Sequence, residues 1–107
     1  MRPTRFYSSR QEKQVAKAVG GKQVANSGAT AFNKGDVQTD NFLIECKTST
    51  SEKQSFTVKR EWLEKNAEER FAMGKDYSAL AFDFGAGERY YIIDEKLFIR
   101  LVSMLNE

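Results

Sequence analysis

The run Asn-Phe-Leu-Ile-Glu-Cys-Lys-Thr-Ser, residues 41–49, constrains the fold of this chain more than any other stretch. Phe42, Leu43, Ile44 and Cys46 make it the best β-strand candidate, yet Glu45 and Lys47 lie inside it. Side chains alternate across a strand, so Leu43, Glu45 and Lys47 share one face and Phe42, Ile44 and Cys46 the other. A sheet built on this strand must bury one face and accept a carboxylate and an ammonium on its opposite face, near the strand's open end. Asp36-Val37-Gln38-Thr39 reads as a preceding strand, with a bend at Asp40-Asn41. Pairing through that bend brings Asp36 opposite Glu45.

The remaining chain reads in the order α-β-β-β-α-β-β-α. A first helix is expected from about Arg10 to Val19, ended by Gly20-Gly21. A short strand follows in Lys-Gln-Val-Ala-Asn-Ser, then a loop over residues 28–35. Residues 57–75 read as a helix with Leu63, Ala67 and Phe71 inward and Glu61, Glu64, Lys65, Glu68 and Glu69 in water. Gly74 caps it. Two strands, Ser-Ala-Leu-Ala-Phe-Asp-Phe and Arg-Tyr-Tyr-Ile-Ile-Asp, join through Gly85-Ala86-Gly87. A last helix carries the apolar stripe Leu97, Phe98, Leu101, Val102 and Leu105. The helix between the third and fourth strands makes those strands parallel neighbours, and the others hairpin-like, which gives an α/β layer fold with a mixed sheet.

At 107 residues with 40% hydrophobic content, the chain suits one folded domain, 1–107, with one modest core. The residues before Ser8 are expected to form a flexible basic arm. No apolar run approaches the roughly 20 residues of a membrane span, so no membrane association and no signal peptide are expected. The single cysteine permits no intrachain disulfide and suits a reducing cytoplasm. The chain has no histidine, which removes Ser-His-Asp hydrolysis and His-dependent nucleases, and one cysteine cannot furnish a zinc site. Any metal is then a hard, oxygen-ligated ion. Residues 1–40 hold seven basic and three acidic residues, while the rest hold ten and twelve, so a +2 net charge conceals a basic first part suited to an anionic partner.

Two readings of the charged strand stand side by side. Glu45 and Lys47 form an ordinary exposed pair with Asp36 a turn residue, or two crowded carboxylates hold a cation with a lysine beside them. The second arrangement suits phosphodiester hydrolysis, with Asp36, Glu45 and the backbone carbonyl of Cys46 as ligands and Lys47 at the attacking water. Glu12 shares the inward face of the first helix with Val15, Ala16 and Val19. It is either a metal-site carboxylate or the N3 member of a capping box with Ser9.

The ordered set of these motifs resembles the PD-(D/E)xK nuclease superfamily, and within it the archaeal-type Holliday junction resolvases and their small phage relatives. The resemblance runs from Arg10 to about Leu105, through Glu12, Ser27-Gly28, Lys34-Gly35-Asp36-Val37 and Glu45-Cys46-Lys47, then Ser55, Thr57, Trp62 and Leu63. Gly35 stands where the superfamily's name places proline. The resemblance implies a restriction-endonuclease-like sheet flanked by helices and a metal-dependent endodeoxyribonuclease for four-way junctions. It assigns the metal to Glu12, Asp36 and Glu45, with Mg²⁺ as cofactor, Mn²⁺ as its substitute and no nucleotide cofactor. Lys47 would hold the catalytic water and Ser27 would lie near the scissile phosphate. It also implies a homodimer on branched DNA. Arg5, Arg10, Lys13, Lys34, Lys53 and Ser55 are the candidate DNA contacts. A nuclease for flaps or ends, and a catalytically silent DNA-binding module, are the alternatives.

Overall fold

A computed structural model of the chain describes residues 4–24 and 36–107, with side chains of the first helix described from Ser9 onward. The elements are α1 (Thr4–Val19), β1 (Lys22–Gln23), β2 (Asp36–Gln38), β3 (Phe42–Lys47), α2 (Arg60–Ala72), β4 (Tyr77–Asp83), β5 (Arg89–Ile92) and α3 (Glu95–Leu105). They form an α/β fold around one five-stranded mixed sheet, ordered β1-β2-β3-β4-β5. Every neighbouring pair is antiparallel except β3–β4, which the α2 connection makes parallel. No helix among the described residues is long and apolar enough to cross a membrane.

The first helix begins at Thr4, not near Arg10, and so takes in residues 4–8, where a flexible arm was expected. Ser9 therefore lies inside the helix, and the Ser9–Glu12 capping box is not formed. Gly20 ends α1 with φ of +69°, and the amide of Gly21 reaches back to the Ala16 carbonyl at 2.8 Å. The β2–β3 bend falls at Asp40-Asn41, where the Thr39 hydroxyl accepts from the Phe42 amide at 3.0 Å.

The strand alternation sorts the core into two layers. Val15 of α1 packs with Val37, Ile44, Ala79 and Ala81, and Phe42 and Cys46 pack against that cluster. On the opposite face Leu43 and Leu80 are fully buried where α2 crosses β3 and β4.

Here α2 departs from its expected orientation. Phe71 is 77% exposed and Leu63 36%, whereas Asn66 and Glu69 are buried. Trp62, Asn66 and Glu69 follow the i, i+4, i+7 rule and form the inward face. The sheet face beneath carries Asp36, Glu45 and Lys47, so a polar helix face meets a polar sheet face. Asn66 Nδ2 donates to the Leu43 carbonyl at 3.4 Å. The stripe on α3 also departs from expectation: Leu97 alone is buried, and Phe98, Leu101, Val102 and Leu105 are exposed.

The β4–β5 connection turns on Gly85, at φ +83°, where an added Cβ would stand 2.7 Å from the Ser51 carbonyl carbon. Gly87, at φ +95°, has open space around it. Gly85→Ala is therefore expected to cost about 2–4 kcal/mol and Gly87→Ala about 1 kcal/mol, the left-handed strain alone. Denaturant unfolding of both variants checks the difference; equal losses would contradict it.

Candidate active site

The β2–β3 register pairs Asp36 with Glu45, Val37 with Ile44 and Gln38 with Leu43. Asp36 and Glu45 thus lie side by side on the face under α2, and both are buried, at 3% and 8% exposure. Two residues along β3, Lys47 Nζ stands 3.2 Å from Glu45 Oε2. The same ammonium lies 4.3 Å from the centroid of the Trp62 ring, so α2 holds it from above. Phe56 packs on Trp62 and stacks on Phe82 at 4.6 Å, giving the lysine an aromatic wall.

Glu69 enters this site from α2. It is 6% exposed, and its Oε2 is buried without a hydrogen-bond partner. Burial pushes the Asp36 carboxyl up to about 7, and the nearby charges of Glu69 and then Glu45 push in the same direction. The Glu69 carboxyl is itself raised, first by burial and further by Glu45. The charge of Lys65 opposes both shifts without cancelling them.

Glu12 approaches from the other layer. It is half-buried on α1, and its Oε1 accepts from Gln23 Nε2 of β1 at 3.2 Å. Its charge acts on the Cys46 thiol and, as the last of the causes, on Asp36. Burial first, and Glu12 next, raise that thiol to about 12, which leaves it protonated and unreactive. Among the described residues, no three Asp, Glu or Cys side chains converge as a ready-made metal cage. The structure brings Asp36, Glu45 and Lys47 together and stations Glu12 beyond them, at the α1 side.

The other expected residues are spread more widely. Arg10, Lys13, Lys53 and Ser55 are exposed. Arg10 lines a cleft of about 280 Å³ with Gln11, Ser49, Asp83 and Arg89. Ser27 and Lys34 lie outside the described residues, as does the side chain of Arg5.

Three contributors were not legible as site residues. Gln11 donates from Nε2 to the Lys47 carbonyl at 2.8 Å and to Asp83 Oδ2 at 3.2 Å, tying α1 to the ends of β3 and β4. Arg89 anchors β5 to α1 through Gln14 at 2.5 Å. The apolar helical stripe Leu63, Ala67 and Phe71 places Glu69 in solvent by sequence; the competing Trp62–Asn66–Glu69 stripe is the signal that points inward.

These oxygen donors fit a hard divalent cation. Magnesium is commonly held by one or two carboxylates while keeping several waters, so Asp36 and Glu45 suffice as protein anchors. Comparison with family models, curated proteins and solved structures produced no match to this chain.

The raised Asp36 carboxyl gives a stability signature. The folded state binds the Asp36 proton up to about pH 7, whereas the unfolded chain releases it near 3.8. Stability without divalent cations should therefore fall as pH rises from about 4 to 7 and then level off. Asp36→Asn removes this loss: the variant should match wild type near pH 4 and exceed it by about 2–4 kcal/mol near pH 7.5. Glu69→Gln should move the wild-type transition to lower pH. Urea unfolding in chelator across this range is the measurement; parallel pH profiles for wild type and Asp36→Asn would contradict the site electrostatics.

Proposed function

We propose that the protein is a metal-dependent endodeoxyribonuclease that hydrolyses phosphodiester bonds at four-way DNA junctions and acts as a homodimer. The observation that carries the chemistry is the in-register pair Asp36 and Glu45, buried together with Lys47 3.2 Å from Glu45. Burial and the neighbouring carboxylates keep the Asp36 carboxyl raised in spite of the charge of Lys65, a cost that a fold has no structural reason to keep. Cation binding and charge stabilisation on a phosphoryl group give it a reason.

Asp36 and Glu45 are the residues that would hold Mg²⁺, or Mn²⁺ in its place, with the Cys46 carbonyl beside them on β3 as a further ligand and Glu12 as the one that the family resemblance implies. A cation there polarises the phosphate and lowers the pKa of a bound water. Lys47 is pinned between Glu45 and Trp62, which fixes the ammonium where it can orient the attacking water and offset phosphate charge. Gln11 holds the backbone of Lys47 in place through its carbonyl. The exposed Arg10, Lys13 and Lys53 supply phosphate contacts, which position a substrate without reading its sequence. Junction selectivity follows from a two-fold dimer, which offers a pair of sites to opposed strands of a symmetric substrate.

Asp36→Asn and Glu45→Gln should each abolish Mg²⁺-dependent cleavage of a four-way junction and leave junction binding within about two-fold of wild type. Each removes a cation anchor and no phosphate contact. Lys47→Ala should inactivate as well. Matched junction, flap, duplex and single-strand substrates resolve the substrate class: paired nicks on opposing strands of the junction are expected. Full activity in Asp36→Asn would defeat the nuclease site, whereas equal cutting of flaps and duplex would defeat only the junction assignment.

A further inference from the structure

The adjoining ends of β4 and β5 carry opposite charges that do not meet. Asp83 and Arg89 are partners in the β4–β5 register, a position that favours an ion pair across the ladder. Two glutamines of α1 engage them separately instead. Gln11 Nε2 donates to Asp83 Oδ2 at 3.2 Å, and the Gly85 amide donates to Asp83 Oδ1 at 2.8 Å. About one helical turn on, Gln14 Oε1 accepts from Arg89 Nη2 at 2.5 Å. The carboxylate is thereby taken up by neutral donors, which leaves the guanidinium without a charged partner. Neither Arg89 nor Arg10 forms an ion pair among the described residues.

These groups line one cleft of about 280 Å³, well above the roughly 30 Å³ of a water in the liquid. Two polar atoms of its lining residues are buried without a hydrogen-bond partner: Arg89 Nε, a donor, and Oε1 of Gln11, a side chain only 3% exposed. A buried guanidinium N–H left unmatched is costly and marks where an acceptor belongs. Gly85 and Gly87 bring backbone without side chains to the same cleft, and the space beside Gly87 is open.

We propose that this cleft binds a phosphate group, gripped by the forked guanidinium of Arg89 together with Arg10. A guanidinium fork matches two phosphate oxygens, and Gln14 fixes the fork by holding Nη2. Gln11 Oε1, an acceptor, suits a water or P–OH group carried in with the ligand. The source of the phosphate rests on the proposed function, in which it is a backbone phosphate beside the scissile one. Gln11 also holds the Lys47 carbonyl at 2.8 Å, and Thr48 and Ser49 of the cleft follow Lys47 directly, within about 7 Å of chain. Inorganic phosphate is the other source of the same chemistry.

Two measurements on the full chain in chelator, where no cleavage occurs, separate the sources. Nitrogen-15 NMR of the arginine Nε–H signals, with inorganic phosphate titrated at constant ionic strength, reads the cleft without DNA. The Arg89 signal, identified by its loss in Arg89→Lys, should shift saturably with phosphate and not with chloride. Fluorescence anisotropy of a four-way junction across a range of salt reads the strand. Arg89→Gln should weaken junction binding about ten-fold and make the log–log salt slope about 0.9 shallower. Arg89→Lys, which keeps the charge and loses the fork, should retain the slope and still bind more weakly. Lys96→Gln, the same charge change on α3, should alter neither, and circular dichroism checks that every variant is folded. A response in both measurements, or with the junction alone, assigns the DNA backbone; a response to inorganic phosphate alone assigns a mobile phosphate. No phosphate-specific shift, together with a wild-type slope in Arg89→Gln, would overturn the subsite. A junction bound through Arg89 but never cut with Mg²⁺ would leave the subsite standing and defeat the nuclease reading; cleavage without either response would do the reverse.

Discussion

The structure turns on one unfavourable contact, the side-by-side burial of Asp36 and Glu45 between β2 and β3. Carboxylates in that position repel each other and lose their hydration together. Lys47, two residues along β3, compensates Glu45 at 3.2 Å, and Asp36 is left with a carboxyl raised to about 7. Much of the surrounding architecture follows from accommodating this charge. The inward face of α2 is polar, with Asn66 and Glu69 buried, and Trp62 covers the lysine. An apolar cluster fills the α1 side of the sheet around Val15, Val37 and Ile44, while Leu43 and Leu80 are fully buried on the α2 side.

One side of the sheet is thus packed by the apolar cluster, while the other combines the apolar Leu43 and Leu80 with the buried carboxylates Asp36 and Glu45. Gln11 joins the two, since it reaches from α1 to the Lys47 carbonyl and to Asp83 at the strand ends. Gln11 also lines the cleft formed with Arg10, Ser49, Asp83 and Arg89. Apolar burial on both faces offsets the repulsion between the two carboxylates.

Much of this was legible in the sequence, and for identifiable reasons. Strand periodicity placed Glu45 and Lys47 on one face, and the Asp40-Asn41 bend fixed the register that sets Asp36 opposite Glu45. The α2 crossover made β3 and β4 parallel. Orientation of α2 was not legible, because Leu63, Ala67 and Phe71 are as helical in spacing as Trp62, Asn66 and Glu69. Hydrophobicity favours the first set, and only the polar sheet face, a tertiary fact, selects the second. The start of α1 was missed for a related reason: Ser9 looks like a cap, but the helix already begins at Thr4. On α3 the stripe was visible, yet amphipathicity does not say whether its apolar face meets the same chain or another.

The central claim is that Asp36 and Glu45 together anchor a divalent cation. Calorimetric titration of Mn²⁺ into the protein near pH 6, repeated in buffers of different ionisation enthalpy, tests it most directly, because a cation must displace the proton that Asp36 retains there. The account predicts saturable binding with release of about one proton in wild type, and loss of both in Asp36→Asn and Glu45→Gln. Saturable binding of undiminished strength in Asp36→Asn, or no saturable binding in wild type, would contradict it.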